Sequence, residues 1–180
     1  MRSHANRGKQ WEGVIDALHA LYESMNIALC IRTPPNMKIV KAIKGGQFLA
    51  YFEKQGPPDY MIIHNGLPIM AEAKDCAQTR FSFKKIPHHQ ASRLDCCDAM
   101  NGLSVVLLRH GPTGTKWVVP WRNISAKYWS WWKTAARRGK TVKGSASLTI
   151  DEIRFAGLEW GRTGYLNPLM KWYKSLEEEE

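Results

Sequence analysis

The sequence predicts an α/β fold, and three stretches carry that prediction. Asn65-Gly66 divides two apolar runs, which is the strongest short hairpin signal a sequence offers. Residues 103–110, LSVVLLRH, form a continuous apolar run of the kind expected for a buried strand. Residues 10–25 instead repeat their apolar positions with a helical period. Trp11, Val14, Ile15, Leu18, Leu21, Tyr22 and Met25 share one side, while Glu12, Asp16, His19 and Glu23 fall largely elsewhere.

The other elements follow along the chain. Residues 28–32 and 37–43 read as two short strands or one bent strand, interrupted at Thr33-Pro34-Pro35 because proline cannot donate to a sheet ladder. Gly45-Gly46 permits a turn, and QFLAYFEK after it is strand-prone or a short helix. Residues 87–101 suit a helix with Pro87 in its first turn. KWVVP follows a Gly-Pro-Thr-Gly turn as a further strand. Residues 121–133 place Trp121, Ile124, Tyr128, Trp129 and Trp132 on one broad helical stripe. Gly139 would end this helix, with Arg137 and Arg138 near its C-terminus, where cations suit the dipole. SLTI is a short strand candidate, and a final helix is expected from about Pro168. With no internal repeat or long linker, residues 1–180 are expected to form one domain.

The charge narrows the partner. The 180 residues carry a formal charge of +10, although the chain ends in Glu177–Glu180. Without that tail, 26 basic residues face 12 acidic ones. Such an excess favours a polyanion, nucleic acid before an anionic membrane. The apolar runs are far shorter than the roughly 18 residues that suggest a spanning helix. MRSHANRGKQWE lacks the apolar core of a signal peptide. A cytoplasmic protein without membrane association is therefore expected. Cys30, Cys76, Cys96 and Cys97 fit no disulfide framework, and no C-x-x-C spacing supports zinc.

The hairpin at 57–75, PPDYMIIHNGLPIMAEAKD, has charges where an apolar sheet is expected. If Asn65 and Gly66 form a two-residue turn, His64 faces Leu67. Counting outward then sets Asp59 directly across from Glu72. Opposed residues share a face with Cβ atoms roughly 5 Å apart, so two carboxylates there repel. Lys74 lies on the same face. Tyr60, Ile62, Ile69, Ala71 and Ala73 form one apolar side, and Met61, Ile63 and Met70 share the carboxylate side nearer the turn. This pattern predicts a hairpin covered on both faces, with Pro68 able to introduce a bulge that shifts the register by one. A divalent cation would turn the repulsion of Asp59 and Glu72 into ligation, and Mg²⁺ favours such hard oxygen ligands.

Pro58-Asp59, twelve intervening residues, then Glu72-Ala73-Lys74 resembles the PD-(D/E)xK nuclease signature. Around it lie N-R-G-K-Q-W-E at 6–12, R-T-P-P at 32–35 and F-x-x-I-P-H-H-Q at 83–90, with W-G-R and Y-L-N-P-L-M near the C-terminus. Together these resemble the RecU-type Holliday-junction resolvases, including phage-encoded relatives. The resemblance implies a restriction-endonuclease-like mixed central sheet flanked by helices. It further implies a homodimer that cuts four-way DNA junctions by paired symmetric incisions with Mg²⁺ or Mn²⁺ and no small-molecule cofactor. The setting would be the cytoplasm, a host's if the chain is phage-encoded.

Carried over by position, Asp59 and Glu72 are the expected metal ligands, and Lys74 positions water or stabilises the transition state. Gln90 is expected near the metal, and Glu12 is expected to complete the acidic cluster. Pro57 stands where relatives often have threonine, and R-T-P-P replaces K-P-T-P. The expected DNA contacts begin with Arg7, Lys9 and Arg32, then Lys38, Lys41 and Lys44 in a projecting segment of about 38–56. Lys84, Lys85, Arg137 and Arg138 complete that set, and the 177–180 tail has no assigned role. Two alternatives stand beside this reading: a restriction- or repair-type nuclease of linear duplex, and a non-catalytic architectural DNA-binding protein.

Overall fold

The structure is a computed structural model and describes residues 4–34, 37–52, 56–138 and 146–178. In chain order it runs α1 (His4–Ser24), β1 (Leu29–Arg32), β2 (Met37–Ile43), β3 (Gln47–Phe52), β4 (Tyr60–His64), β5 (Leu67–Cys76) and β6 (Phe81–Ser82). Then follow α2 (His88–Ala99), β7 (Leu103–His110), β8 (Thr115–Pro120), α3 (Arg122–Arg138), β9 (Ser147–Leu148), α4 (Ile150–Ala156), β10 (Leu158–Glu159) and α5 (Leu166–Glu177). Six strands make a central sheet in the order β1-β4-β5-β7-β8-β10. It is mixed: β5 and β7 are parallel, joined through α2, and the other neighbours are antiparallel. This is the α/β fold that the sequence predicts, with the mixed, helix-flanked sheet that the family resemblance implies.

Each sheet face has its own core. On one face Ile69, Ala71 and Ala73 of β5 and Leu103, Val105 and Leu107 of β7 pack beneath α1 and α5. On the other, Val106, Leu108 and Val119 pack beneath α2, α3 and α4. β7 has both faces covered, which is why its sequence shows no alternation.

The helices dock through narrower stripes than periodicity predicts. α1 buries Trp11, Ile15, His19 and Tyr22, whereas Val14, Leu21 and Met25 are exposed. His19, expected on the polar side, is inside because its Nε2 pairs with the Tyr165 hydroxyl at 2.6 Å. Trp11 Nε1 donates to the Leu107 carbonyl at 2.9 Å, fixing α1 on the sheet. For α3 the buried line is Trp121, Ile124, Tyr128 and Trp131, with Trp129 and Trp132 only partly covered. Asp95 of α2 accepts from Trp121 Nε1 at 2.5 Å and Trp129 Nε1 at 2.6 Å, tying α2 to α3.

The remaining differences are local. SLTI yields strand only at Ser147–Leu148, because Thr149 starts α4 with a capping box to Glu152. QFLAYFEK resolves as β3, and the last helix begins at Leu166. Gly139, expected to stop α3, lies outside the described residues, as do Glu179 and Glu180. Among the described residues β2 and β3 pair only with each other, through a turn in which Gly45 and Gly46 take φ of 83° and 74°. Met37, Ile39, Val40, Phe48 and Leu49 on this ribbon are all exposed.

Candidate active site

The site is built by the β4–β5 hairpin. Asn65 and Gly66 take φ of 49° and 82°, the left-handed pair that a tight hairpin turn demands. The register then runs His64↔Leu67, Ile63↔Pro68, Ile62↔Ile69, Met61↔Met70 and Tyr60↔Ala71, without a shift. Pro68 introduces no bulge. A two-residue turn makes His64 and Leu67 the hydrogen-bonded pair, so alternation leaves Ile63 and Pro68 a non-hydrogen-bonded one. The amide hydrogen that proline lacks is not needed toward β4. On the other side, pairing of β5 with β7 starts only at Ile69.

One more step along the same register brings Asp59 to Glu72. The Asp59 amide donates to Glu72 Oε2 at 3.3 Å, and Asp59 Oδ2 accepts from the Ala73 amide at 2.9 Å. In a continued ladder the Ala73 amide would donate to the Pro58 carbonyl, which here accepts from the Thr33 hydroxyl. The Asp59 carboxylate takes the Ala73 N–H instead, at the frayed strand end. Antiparallel pairing of β1 with β4 extends similarly past Arg32↔Tyr60. The Thr33 amide donates to the Asp59 carbonyl at 2.9 Å, and the Thr33 hydroxyl donates to the Pro58 carbonyl.

Glu72 has 0% of its surface exposed. Burial lifts its pKa to about 7, while Lys74, ion-paired to Oε1, opposes that rise and Asp59 adds to it. The hairpin's predicted apolar side is buried at Tyr60, Ile62, Ile69, Ala71 and Ala73. The expectation of cover on both faces fails at Met61 and Ile63, which are 44% and 45% exposed. α2 shields the carboxylate face over β5 and β7, and the cover stops short of β4 and β1. Leu29 and Ile31 of β1 stand exposed beside them, opposite Ile63 and Met61.

The other expected site residues divide. Gln90 lies in the first turn of α2, after Pro87, which occupies the N-cap. Its Oε1 is buried without a hydrogen-bond partner among the described residues. Glu12 does not join Asp59 and Glu72: it is ion-paired with Arg32, which also bonds Asp16 Oδ2 at 2.6 Å. Asp16 in turn accepts from the Tyr60 hydroxyl at 2.8 Å. Among the described residues no three His, Cys, Asp or Glu side chains converge as a metal cage. The hairpin itself brings together two carboxylates, Asp59 and Glu72.

The basic residues lie at several surfaces. Lys9, Lys38, Lys41, Lys44 and Lys84 are exposed. Lys85 is half-buried, its ammonium donating to the Asp75 carbonyl at 2.6 Å. Arg32 is committed to the α1 carboxylates. The side chains of Arg7, Arg137 and Arg138 lie outside the described residues. Sequence reasoning missed Thr33, Asp16 and the His19–Tyr165 pair. Only Thr33 had a usable signal, its place one step beyond β1. The four cysteines are free, and no described helix is long and apolar enough to cross a membrane.

Residues 6–163 match the RecU family, Recombination protein U. The Holliday junction resolvase RecU of Streptococcus thermophilus is 26% identical over 167 residues, covering 89% of this chain and 79% of that relative. The Holliday junction resolvase RecU of Streptococcus pyogenes serotype M5 is 27% identical over 161 residues, covering 86% and 74%. Among solved structures, Hjc of Archaeoglobus fulgidus, a Holliday junction resolvase from an archaeal hyperthermophile, is similar at a TM-score of 0.47 and 12% identity. That likeness covers 84% of this chain and 95% of that one. With the family match extending over all but the ends of the sequence, the chain belongs to the RecU family.

Proposed function

We propose that this chain is a divalent-metal-dependent DNA endonuclease that resolves four-way junctions, with Asp59, Glu72, Lys74 and Gln90 at its catalytic centre. The observation that carries this reading is the hairpin register, which sets Asp59 against Glu72 with Lys74 on the Glu72 carboxylate. Family membership and relatives named Holliday junction resolvases support the junction as substrate.

The residues fit a hard dication. Asp59 and Glu72 supply carboxylate oxygens, and the buried, unpartnered Oε1 of Gln90, on the helix that packs over β5, is a third hard donor. Mg²⁺ commonly takes one or two carboxylates and leaves its other positions to water and substrate phosphate. Bound there, Mg²⁺ or Mn²⁺ supplies Lewis-acid stabilisation of charge developing on a phosphate. Lys74 holds positive charge at the Glu72 side and orients the attacking water while neutralising the pentavalent phosphate. Lys9 and the lysines of the β2–β3 ribbon hold flanking phosphates by charge, which positions DNA without reading its sequence.

A homodimer completes the proposal, since two symmetric incisions need two sites. The exposed apolar surfaces of Leu29, Ile31, Met61 and Ile63 and of the β2–β3 ribbon favour self-association. Residues 1–180 act as one nuclease domain in the cytoplasm. The test is incubation of a labelled four-way junction, and separately its linear arms, with and without Mg²⁺. Symmetric cuts confined to the junction are expected. Equal cutting of the linear arms would assign a duplex nuclease instead, and no cutting in Mg²⁺ or Mn²⁺ would leave a binding protein.

A further inference from the structure

A cavity of about 540 Å³ opens at the start of α2, lined by Lys84, Ile86, Pro87, His88, His89, Trp131 and Trp132. That volume is within the ~300–1,000 Å³ typical of small-molecule sites. Four of these residues, His88, His89, Trp131 and Trp132, present rings. His88 lies 4.8 Å from Trp132, the planes tilted by 37°, and meets Trp129 edge-on at 5.2 Å. Trp131, 6% exposed, is held from behind by Phe83 and Tyr128. These contacts make the wall rigid, yet His88 is exposed and Trp132 only half-buried, so both rings keep free surface. Rings that served only the core would be covered as Trp121 and Tyr128 are.

The position matters as much as the lining. The cavity shares the first turn of α2 with Gln90. His89, on its wall, directly precedes Gln90 in a helix that packs against β5, the strand of Glu72 and Lys74. α2 therefore joins the cavity to the strand that carries Glu72. Lys84 stands exposed at the rim.

We propose that this cavity receives one unpaired nucleobase of the branched DNA, stacked on Trp132 and His88, with Lys84 on the adjoining phosphate. The inference rests on the nuclease reading above. Flat walls suit a base of any identity, and the rim charge suits the phosphate attached to it. A branch point supplies bases that are unstacked more readily than those inside a duplex. Stacking on an aromatic ring strengthens binding roughly 5- to 150-fold per base.

The test uses the full chain and four-way junctions carrying 5-iodouracil at successive positions around the cut site, bound in EDTA and irradiated. A crosslink to Trp132 or His88 from one nucleotide beside the cut phosphate is expected. Trp132→Ala and His88→Ala should each weaken junction binding roughly tenfold, and Trp132→Phe should restore it. His88 is exposed, so its variant tests the site even if Trp132→Ala unfolds. Crosslinks only elsewhere, or His88→Ala binding like wild type, would overturn the proposal. Wild-type cleavage in Mg²⁺ is measured alongside. Normal cutting without the crosslink sinks the base site alone, whereas failure to bind or cut the junction sinks both readings.

Discussion

A carboxylate taken wholly out of water costs several kcal/mol unless it is paired, and Glu72 sits in one of the sheet's two central strands with none of its surface exposed. Lys74 and the Asp59 amide compensate it, though burial still wins and its pKa stays high. If Lys74 also carries charge stabilisation at the phosphate, Lys74→Ala should slow junction cleavage roughly 100- to 1,000-fold, by single-turnover kinetics. His19 makes a separate, structural prediction. Burial lowers its pKa to about 4, so it is neutral in the fold while the unfolded chain takes up a proton below its usual 6.5. The unfolded state binds more protons between those values, so stability is full above pH 6.5 and declines as pH falls toward 4. The loss amounts to about 3 kcal/mol. Urea unfolding at pH 7 and pH 4.5 should show that decline, and His19→Gln should flatten it. An unchanged slope in the variant would assign the acid sensitivity elsewhere.

At the scale of elements the hairpin is the part most legible from sequence. Asn65-Gly66 specifies the turn, side chains alternate with period two, and register follows by counting. Asp59 against Glu72 was therefore readable before any tertiary contact. Gly66 at φ 82° is the residue on which that count depends. Gly66→Ala should cost about 1–2 kcal/mol, seen as a lower Tm with unchanged binding of DNA. What could not be read was set by distant partners. Glu12 is taken by Arg32 because β1 docks beside α1, and His19 is buried because Tyr165, 146 residues away, meets it. The exposure of Met61 and Ile63 depends on where α2 stops covering the sheet. Trp131 was missed because the apolar stripe of α3 was wider than the face that docks. The α4 start was readable in Thr149-x-x-Glu152, a capping box passed over in favour of a strand.

For the whole molecule, charge and apolar surface make different predictions. A net +10 spread over several faces implies salt-sensitive, sequence-tolerant binding. Replacing Lys38, Lys41 and Lys44 by alanine should reduce the slope of log affinity against log salt by about 0.9 per lysine that touches a phosphate. An unchanged slope would remove the β2–β3 ribbon from the DNA interface. Paired lysine substitutions at Met61 and Ile63 should shift the chain toward monomer in sedimentation and convert paired incisions into single nicks. In the proposed function the hairpin carboxylates hold the ion that junction cleavage requires. The most direct test of that role is cleavage of a labelled four-way junction in Mg²⁺ by Asp59→Asn and Glu72→Gln, with binding measured in parallel. Both variants should bind within a few-fold of wild type and cut at least about 100-fold more slowly; wild-type cutting by either one would contradict the account.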